Sequence, residues 1–425
     1  MDAIVGEHNP QSASGSRASR SVAPIVAPSV RDGPQQAPDR KSEGRVTKHT
    51  VKRRAVVEGP ARGLRRPVSD QAAEQGKRVK LSIEPELSAL PNTIAVMDSQ
   101  VLSNYNKAFT LLKDNPLEQR LDVQLPFEKF LQLDHAFSEL KSAEGISEDQ
   151  RYPSLGYNSH TETVTVVTAP SSIHESSTRW IEHEIFEYAR QYLSTRSPHT
   201  LQRIRQVGST TKGFSLGDYT RSRKEPDAGF SYMAVGGEGE VMIALESGHT
   251  EAYGRLLDDK DMWINGMGIN VVILVCFRER PRFANPPTTP YQDVKNWRNE
   301  LKTMSHTIGE ADELNIQRGF YGPLRYRGHT WAGELNEAFI EVWRPDSHDR
   351  FCFIQSGFAV GVEDLPVTLG LRVSDLYPRD TWEAADLEDA VIPFDSSAFL
   401  EGLRIDVVQA AQDRFRLFLF EKLGL

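Results

Sequence analysis

Apolar residues recur at three- and four-residue spacings in two stretches that begin soon after residue 97. The stretches cover residues 101–112 and 127–140, and an Asp-Asn-Pro sequence at 114–116 separates them. This period places apolar side chains on one face of a helix, and the proline ends the first helix. Residues 143–170 are polar apart from a threonine- and valine-rich run at 161–168, which is typical of a strand. We therefore expect a helical extension over residues 93–170.

The middle of the chain alternates between helical and extended patterns. A helical period follows a Ser176-Ser177 pair that is suited to helix capping, and short apolar runs follow it. These patterns predict a helix at 178–193, strands at 201–207, 227–233 and 240–245, a helix at 250–264 and a strand at 269–277. This order predicts an α/β (α+β) core over residues 171–280, with a mixed sheet flanked by helices.

Residues 281–425 continue with both kinds of pattern. They predict a helix at 292–304, strands at 337–343 and 351–354, and an amphipathic helix at 397–423. We expect this segment to be a C-terminal extension that packs on the core.

The first 92 residues differ in composition from the rest. They are rich in Ser, Pro, Ala, Arg and Gln, and such a segment buries too little apolar surface to offset the entropy of ordering, so we expect a disordered tail. Residues 1–90 hold 16 Lys and Arg against 10 Asp and Glu, whereas the remainder holds 34 against 49. The tail is therefore basic and the body acidic. An acidic body does not by itself favour binding to nucleic acid.

The most compact basic cluster of the tail is formed by Lys77, Arg78 and Lys80. Closely spaced cations on an extended chain are typical of a nuclear-import signal that binds an import receptor. A basic tail that only solubilises the protein, or touches nucleic acid weakly, is the equal alternative.

The cysteines and the longest apolar run indicate the cellular compartment of the protein. Cys276 and Cys352 fall in apolar runs, which indicates buried thiols in a reducing environment and not a disulfide framework or a zinc site. The longest apolar run, at 269–277, is too short to span a membrane. We expect an intracellular and nuclear protein that does not contact the membrane.

Two carboxylates, Asp227 and Glu246, lie on neighbouring predicted strands. Because side chains alternate along a strand, Val241, Ile243 and Leu245 should face one way and Glu246 the other, away from the core. Adjacent strands can then present both carboxylates at one rim. Oxygen ligands of this kind suit Mg²⁺ or Mn²⁺, which lowers the pKa of a bound water and offsets the charge of a phosphate.

Lys260 lies in the apolar stripe of the predicted 250–264 helix. Tyr253, Leu256 and Leu257 belong to the same stripe, and an ammonium in such a place is costly unless a carboxylate or a wet cleft receives it. A metal site at the strand ends would receive it, and the lysine would orient water or phosphate. The alternative is a lysine whose stem covers apolar surface while its charge reaches solvent.

Pro226-Asp227 and Glu246 resemble the motif of the PD-(D/E)XK nuclease superfamily. The resemblance covers about residues 172–278 and implies a restriction-endonuclease-like fold that hydrolyses DNA. The usual lysine, two residues after the glutamate, is Gly248 here. Lys260, with Tyr253 before it, resembles the variant in which the lysine has moved to the following helix.

The resemblance also implies further metal ligands. The backbone carbonyl of Ser247 would bind the metal, and Glu184 on the preceding helix, which we prefer to Glu187, would assist. Arg223 and Lys224 border the expected site and are candidates for binding phosphate, although an ordinary solvated face is an equal interpretation. His249 is expected to be a surface turn residue.

These patterns predict hydrolysis of DNA phosphodiesters with Mg²⁺ or Mn²⁺, in which Asp227, Glu246 and Lys260 are catalytic. The alternative is a nuclease-fold protein without catalysis that acts as a nuclear interaction or scaffold module, which the acidic body favours. A toxin or effector nuclease from a mobile element would share the chemistry and differ in its biology.

Overall fold

The N-terminal part of the described chain combines helices with short strands. The computed structural model describes residues 99–423, apart from 115, 117, 148–151, 209, 238, 250–252, 287–290 and 386. The elements here are α1 (Ser99–Asp114), β1 (Arg120–Gln124), α2 (Phe127–Glu144), β2 (Ser154–Asn158) and β3 (Thr163–Val167). The described part of the segment predicted as a helical extension therefore holds two helices and three strands. The predicted disordered tail and its basic cluster lie outside the described residues.

The central block contains every element that its pattern predicts. Its elements are α3 (Ser172–Arg196), α4 (Pro198–Leu201), β4 (Ile204–Gln206), β5 (Lys212–Gly213), β6 (Arg223–Lys224), β7 (Ala228–Met233), β8 (Gly239–His249), α5 (Tyr253–Asp261) and β9 (Val271–Arg280). A π-helical segment, Met262–Met267, continues α5.

The C-terminal part adds both strands and helices. They are α6 (Tyr291–Trp297), α7 (Leu301–Gln317), β10 (Leu324–Tyr326), β11 (His329–Ala332), β12 (Glu334–Arg344), β13 (Ser347–Gln355), β14 (Phe358–Ala359), β15 (Thr368–Arg372), α8 (Arg379–Ala385), β16 (Val391–Pro393) and α9 (Ser396–Leu423).

A seven-stranded central sheet has the order β14-β13-β12-β9-β8-β7-β4. Strands β4, β7 and β8 are antiparallel neighbours, whereas β9 lies parallel to β8. A parallel neighbour needs a crossover connection, and here α5 and the π-helical segment make it. The predicted mixed α/β sheet is confirmed, and the C-terminal strands β12, β13 and β14 extend it.

Both faces of the central sheet are buried. Helices α3 and α9 pack on one face together with Ile243, Leu245 and Ile273. Helix α5 and the π-helical segment cover part of the other face, where Leu256 and Trp263 pack against Ala244 and Leu274. Cys276 lies in this second layer, and both cysteines are free thiols.

A small antiparallel sheet of five strands lies apart from the central sheet in the order β1-β3-β2-β6-β5. Strands β5 and β6 come from the central block, so the N-terminal part and the central block build this sheet together. Alternating residues such as Val164 and Val166 bury one of its faces against α1 and α2. Among the described helices, none combines the length and the apolar character that crossing a membrane requires.

Candidate active site

Strands β7 and β8 bring Asp227 and Glu246 to the same end of the central sheet. Ala228 pairs with Leu245, so the two carboxylate residues lie side by side at the next position. The amide of Asp227 donates to the carbonyl of Leu245 at 3.0 Å. The amide of Ser247 donates to Oδ2 of Asp227 at 2.8 Å. The shared rim expected from strand alternation is thus present.

A β-bulge at Met242 changes which side chains share a face of β8. In the antiparallel register, Phe230 pairs with Ile243 and Ser231 with Val241, so Met242 is skipped. Val241 therefore packs in the second layer while Ile243 packs against α3 and α9. The expectation that Val241 and Ile243 share a face is wrong. Simple alternation does not include the extra residue of a bulge.

Glu246 points into the second apolar layer and not toward open solvent. The residue is only 3% exposed, and its Oε1 accepts a hydrogen bond from Nε1 of Trp263 at 2.5 Å. The expectation that its face lies away from a core is wrong, because the π-helical segment covers this face as well. A carboxylate in such surroundings needs charged or hydrogen-bonding partners to remain ionised.

Lys224 supplies the nearest positive charge. Its Nζ lies 3.3 Å from Oε2 of Glu246 and 2.9 Å from Oδ1 of Asp259. Burial opposes the charge of Lys224, but Asp259 and then Glu246 outweigh it and raise its pKa, so the ammonium stays charged. Arg120 on β1 lies 3.4 Å from the other oxygen of Asp259.

Burial disfavours the ionised form of the Glu246 carboxyl group. Burial is the main cause that raises its pKa to about 8, and the nearby Asp227 and Asp259 raise it further, while Lys224 opposes the shift. The cations around Glu246 thus do not fully offset burial and the neighbouring carboxylates. An additional positive charge bound at the rim would favour the ionised form.

Lys260 lies outside this cluster. Its ammonium pairs with Asp261 and lies 4.5 Å from the ring centroid of Trp343. The apolar stripe on α5 is present, since Leu256 is buried and Tyr253 and Leu257 pack beside it. Lys260 therefore contacts an acidic residue and an aromatic ring, and it does not contact Asp227 or Glu246.

Helix α3 contributes a histidine to the site where a glutamate was expected. Nε2 of His174, in the first turn of α3, lies 3.2 Å from Oδ2 of Asp227. Glu184 lies further along α3 and does not line the cleft that contains Asp227. Glu182 is the glutamate of α3 that touches β7, where its Oε1 accepts from the amide of Gly229 at 3.2 Å.

His249 is buried at the end of β8, so its expected place in a surface turn is wrong. Its Nδ1 lies 2.9 Å from Oγ of Ser171, and its Nε2 lies 3.2 Å from Oε2 of Glu279. Burial raises the pKa of Glu279, but His249 and Arg414 lower it to about 2 overall. Arg414 also binds Glu118, with an Nη2–Oε2 distance of 2.7 Å.

A cleft of about 640 Å³ contains the carboxylates. Its walls come from β1, β2, β3 and β6 of the small sheet, from the rim of β7 and β8, and from α5. Lys224 and Arg223 both line it, as expected for residues that border the site. Arg223 also pairs with Asp134 of α2, with an Nη1–Oδ2 distance of 3.1 Å.

The donors at this rim fit a hard divalent cation only in part. Asp227, Glu246 and the backbone of Ser247 supply oxygen atoms, and Mg²⁺ commonly takes one or two carboxylates and keeps several waters. The Oγ of Ser247 is buried at the same place and has no hydrogen-bond partner among the residues that the structure describes. However, among the described residues no three His, Cys, Asp or Glu side chains converge as a preformed metal site.

Sequence reasoning missed Asp259 and His174 of the candidate site, and it did not reveal the contact that Lys224 makes with Glu246. Asp259 follows Leu256 by three residues, so helical periodicity alone places it toward the buried side. His174 precedes the predicted start of its helix, because the capping residue is Ser171 and not the later serine pair. The contact of Lys224 with Glu246 joins two different sheets and leaves no local signal.

Comparison with protein-family models finds no match for this chain, and comparison with curated protein sequences finds none either.

Proposed function

We propose that the protein hydrolyses phosphodiester bonds in DNA with the help of Mg²⁺ or Mn²⁺. The observation that supports this proposal best is the meeting of Asp227, Glu246 and Lys224 in one cleft. Two carboxylates at one rim with an adjacent ammonium are the groups that a metal-dependent hydrolysis of a phosphodiester requires. The proposal continues the resemblance to the PD-(D/E)XK superfamily.

The strand order supports a restriction-endonuclease-like core. When the short helices and the small-sheet strands β5 and β6 are left out, α3, β4, β7, β8, α5 and β9 follow the order helix, strand, strand, strand, helix, strand. The two carboxylates lie at the adjoining ends of the second and third of these strands. Many α/β domains share this order, so the placement of the carboxylates carries more weight than the topology.

In this proposal, Asp227, Glu246 and the carbonyl of Ser247 would hold the metal ion. The bound ion would supply Lewis acidity and a water of lowered pKa. His174 orients the carboxylate of Asp227, and the indole of Trp263 orients that of Glu246. These contacts fix both groups before substrate binds, which reduces the reorganisation that the reaction requires.

Lys224 takes the role that the sequence assigned to Lys260. Its ammonium lies against Glu246 and remains charged, so it can donate hydrogen bonds to a phosphate oxygen as negative charge develops there. Because its pKa is raised, Lys224 serves as a donor and not as a base.

A non-catalytic nuclear scaffold or interaction module is the second candidate, and one observation favours it. Both oxygens of Glu246 already have protein partners, Trp263 and Lys224. Such a pairing can serve stability alone. A nuclear location would use the basic residues Lys77, Arg78 and Lys80 in either case.

Cleavage of labelled DNA by the full chain tests the proposal. The wild type should cleave with Mg²⁺ or Mn²⁺ and not with a chelator. Loss of a residue that only hydrogen-bonds to a metal ligand commonly lowers metal affinity or activity by about 10–100-fold. Because Asp227 and Glu246 would bind the metal directly, Asp227→Asn and Glu246→Gln should each lower the cleavage rate by at least about 100-fold. Glu240→Gln is the matched control, because Glu240 is an exposed residue of the same strand. Metal-dependent cleavage that survives in both site variants would contradict the proposal.

A further inference from the structure

The proposed active site is deep and is covered by the small sheet. Glu246 is almost completely buried, and the side chain of Asp227 is 14% exposed. A phosphodiester must therefore enter the cleft to reach the carboxylates. A cleft of about 640 Å³ falls within the roughly 300–1,000 Å³ of pockets that enclose one small ligand. That space suits one or two nucleotides and not a segment of double helix.

Ion pairs join the small sheet to the far wall of the cleft. Arg120 of β1 pairs with Asp259 of α5, and Arg255 of α5 pairs with Asp122 of β1 at 2.8 Å. At another position Glu118, which precedes β1, binds the buried Arg414 of α9. These contacts hold the small sheet over the carboxylates, and they oppose an opening wide enough for a rigid duplex.

The face of the small sheet that lines the cleft is polar, with charged residues on β1 and β6 and uncharged ones on β2 and β3. Because side chains alternate along each strand, Val164 and Val166 face the helices while Thr163 and Thr165 face the cleft. All of β2 lines the cleft, and Ser154 and Asn158 add a hydroxyl and an amide group to this wall. Hydroxyl and amide groups can bond to sugars and to exposed base edges, which are accessible in an unpaired strand.

Cations lie at the border of the cleft, where the flanking phosphates of an entering strand would pass. The side chains of Arg223 and Arg255, which each pair with one aspartate, are 42% and 44% exposed, and Arg282 is exposed as well and lines the cleft. Exposed arginines suit the phosphate backbone, which carries charge along its whole length.

We infer that this cleft takes one unpaired polynucleotide strand, so the substrate is single-stranded, frayed or branched nucleic acid and not an intact duplex. This inference rests on the proposed function only for which bond is cleaved. The form of the substrate follows from the depth of the cleft, from the small sheet that covers it and from its polar lining.

Binding and cleavage measured side by side separate the two claims. The binding probe is a short fluorescent oligonucleotide, either alone or as a blunt duplex of the same sequence, titrated with full-length wild-type protein in a chelator, which prevents cleavage and leaves the cleft walls unchanged. Fluorescence anisotropy should give a dissociation constant at least about fivefold lower for the single strand. The basic residues 1–92 attract both forms, so the ratio of the two constants is the informative quantity.

A pair of charge variants tests whether binding uses the cleft. In this background, Thr163→Glu should weaken single-strand binding by about fivefold and Thr163→Lys should strengthen it, because charge on the cleft wall acts on an entering phosphate. Opposite effects of the two variants could not result from misfolding. Thr303→Glu, on the exposed surface of α7, is the matched control and should change little.

The outcomes distinguish the inference from the function it rests on. Equal cleavage of duplex and single strand by the wild type would keep the function and overturn the inference. Single-strand preference that responds to residue 163, without any cleavage, would keep the strand site and overturn the nuclease proposal. Equal binding of both forms, or no response to either change at Thr163, would overturn the inference whatever the enzyme does.

Discussion

Glu246 combines deep burial with negatively charged neighbours. Burial is the main cause that raises the pKa of its carboxyl group to about 8, and Asp227 and Asp259 add to the shift. A group so strongly perturbed by both desolvation and specific neighbours is typical of functional sites, although structural ion pairs can have the same effect. Trp263 and Lys224 both contact Glu246, so changes at these partners should show which of the two roles it has.

Replacing Lys224 should therefore have a larger effect than replacing Lys260. Lys224→Met leaves Glu246 and Asp259 without their shared cation, which should lower the free energy of unfolding by roughly 3 kcal/mol. The Lys260 side chain is mostly buried too, but its partner Asp261 is 42% exposed and stays solvated without it. Lys260→Met, which also removes the contact with Trp343, should therefore cost only about 1 kcal/mol. Urea denaturation of both variants measures the difference.

The same two variants separate the catalytic roles. DNA cleavage should fall sharply in Lys224→Met and remain near the wild-type rate in Lys260→Met. Added Mn²⁺ should stabilise Lys224→Met more than the wild type, because a bound cation would take over part of the lost charge. A variant of Lys260 that loses cleavage while Lys224→Met retains it would restore the assignment made from the sequence.

Helix α9 is connected to the cleft through one buried arginine. Arg414 binds Glu279 at the end of β9 and Glu118 before β1, and it donates to the carbonyl of Trp331 at 3.1 Å. Its side chain is fully buried. This network links the last helix, the central sheet and the start of the small sheet, so it supports the part of the fold that covers the carboxylates.

Arg414→Met should lower the free energy of unfolding by about 3–5 kcal/mol, because it leaves two carboxylates without their common partner. Arg416 on the same helix is the matched control. It is half exposed and pairs with Asp413 three residues away, so Arg416→Met should change stability by less than about 0.5 kcal/mol. Equal effects of the two substitutions in urea denaturation would show that the buried network does not support the fold.

Most elements of the core could be predicted from the sequence because their signals are local. The apolar periods of α2, α3, α5 and α9 and the buried runs of β8 and β9 mark these elements. Strands β1 and β2 were not predicted, since the sequences RLDVQ and SLGYN are short and carry few β-branched residues. Their pairing with β3 depends on contacts that no short window of sequence contains.

Only the two carboxylates of the candidate site could be predicted, because their positions near the ends of strands can be recognised in the sequence. Asp227 directly precedes β7 and Glu246 lies near the end of the paired strand β8, and their sequence positions indicate a common rim. The partners Lys224, His174 and Asp259 come from the small sheet, the first turn of α3 and α5. Their convergence follows from the packing of these elements, and the π-helical segment adds Trp263 through a backbone form that periodicity does not reveal.

At the scale of the whole molecule, a negatively charged body surrounds a cleft with a mixed lining. The chain carries a formal net charge of −9, so long-range attraction does not draw nucleic acid to the body. Recognition in this account is local, through arginines at the cleft border and a bound divalent cation. Metal binding at Glu246 is therefore the claim on which the proposed activity depends.

Thermal melting of the full chain with and without Mn²⁺ tests this claim most directly, in the wild type and in Glu246→Gln. A ligand that binds only the folded state raises its stability by about 2.7 kcal/mol at 100 times its dissociation constant. Metal binding at Glu246 predicts a clear metal-dependent rise in melting temperature for the wild type and for the Glu240→Gln control. It predicts no such rise for Glu246→Gln. A wild type that melts at the same temperature with and without the metal, or a Glu246→Gln variant that keeps the full rise, would contradict it.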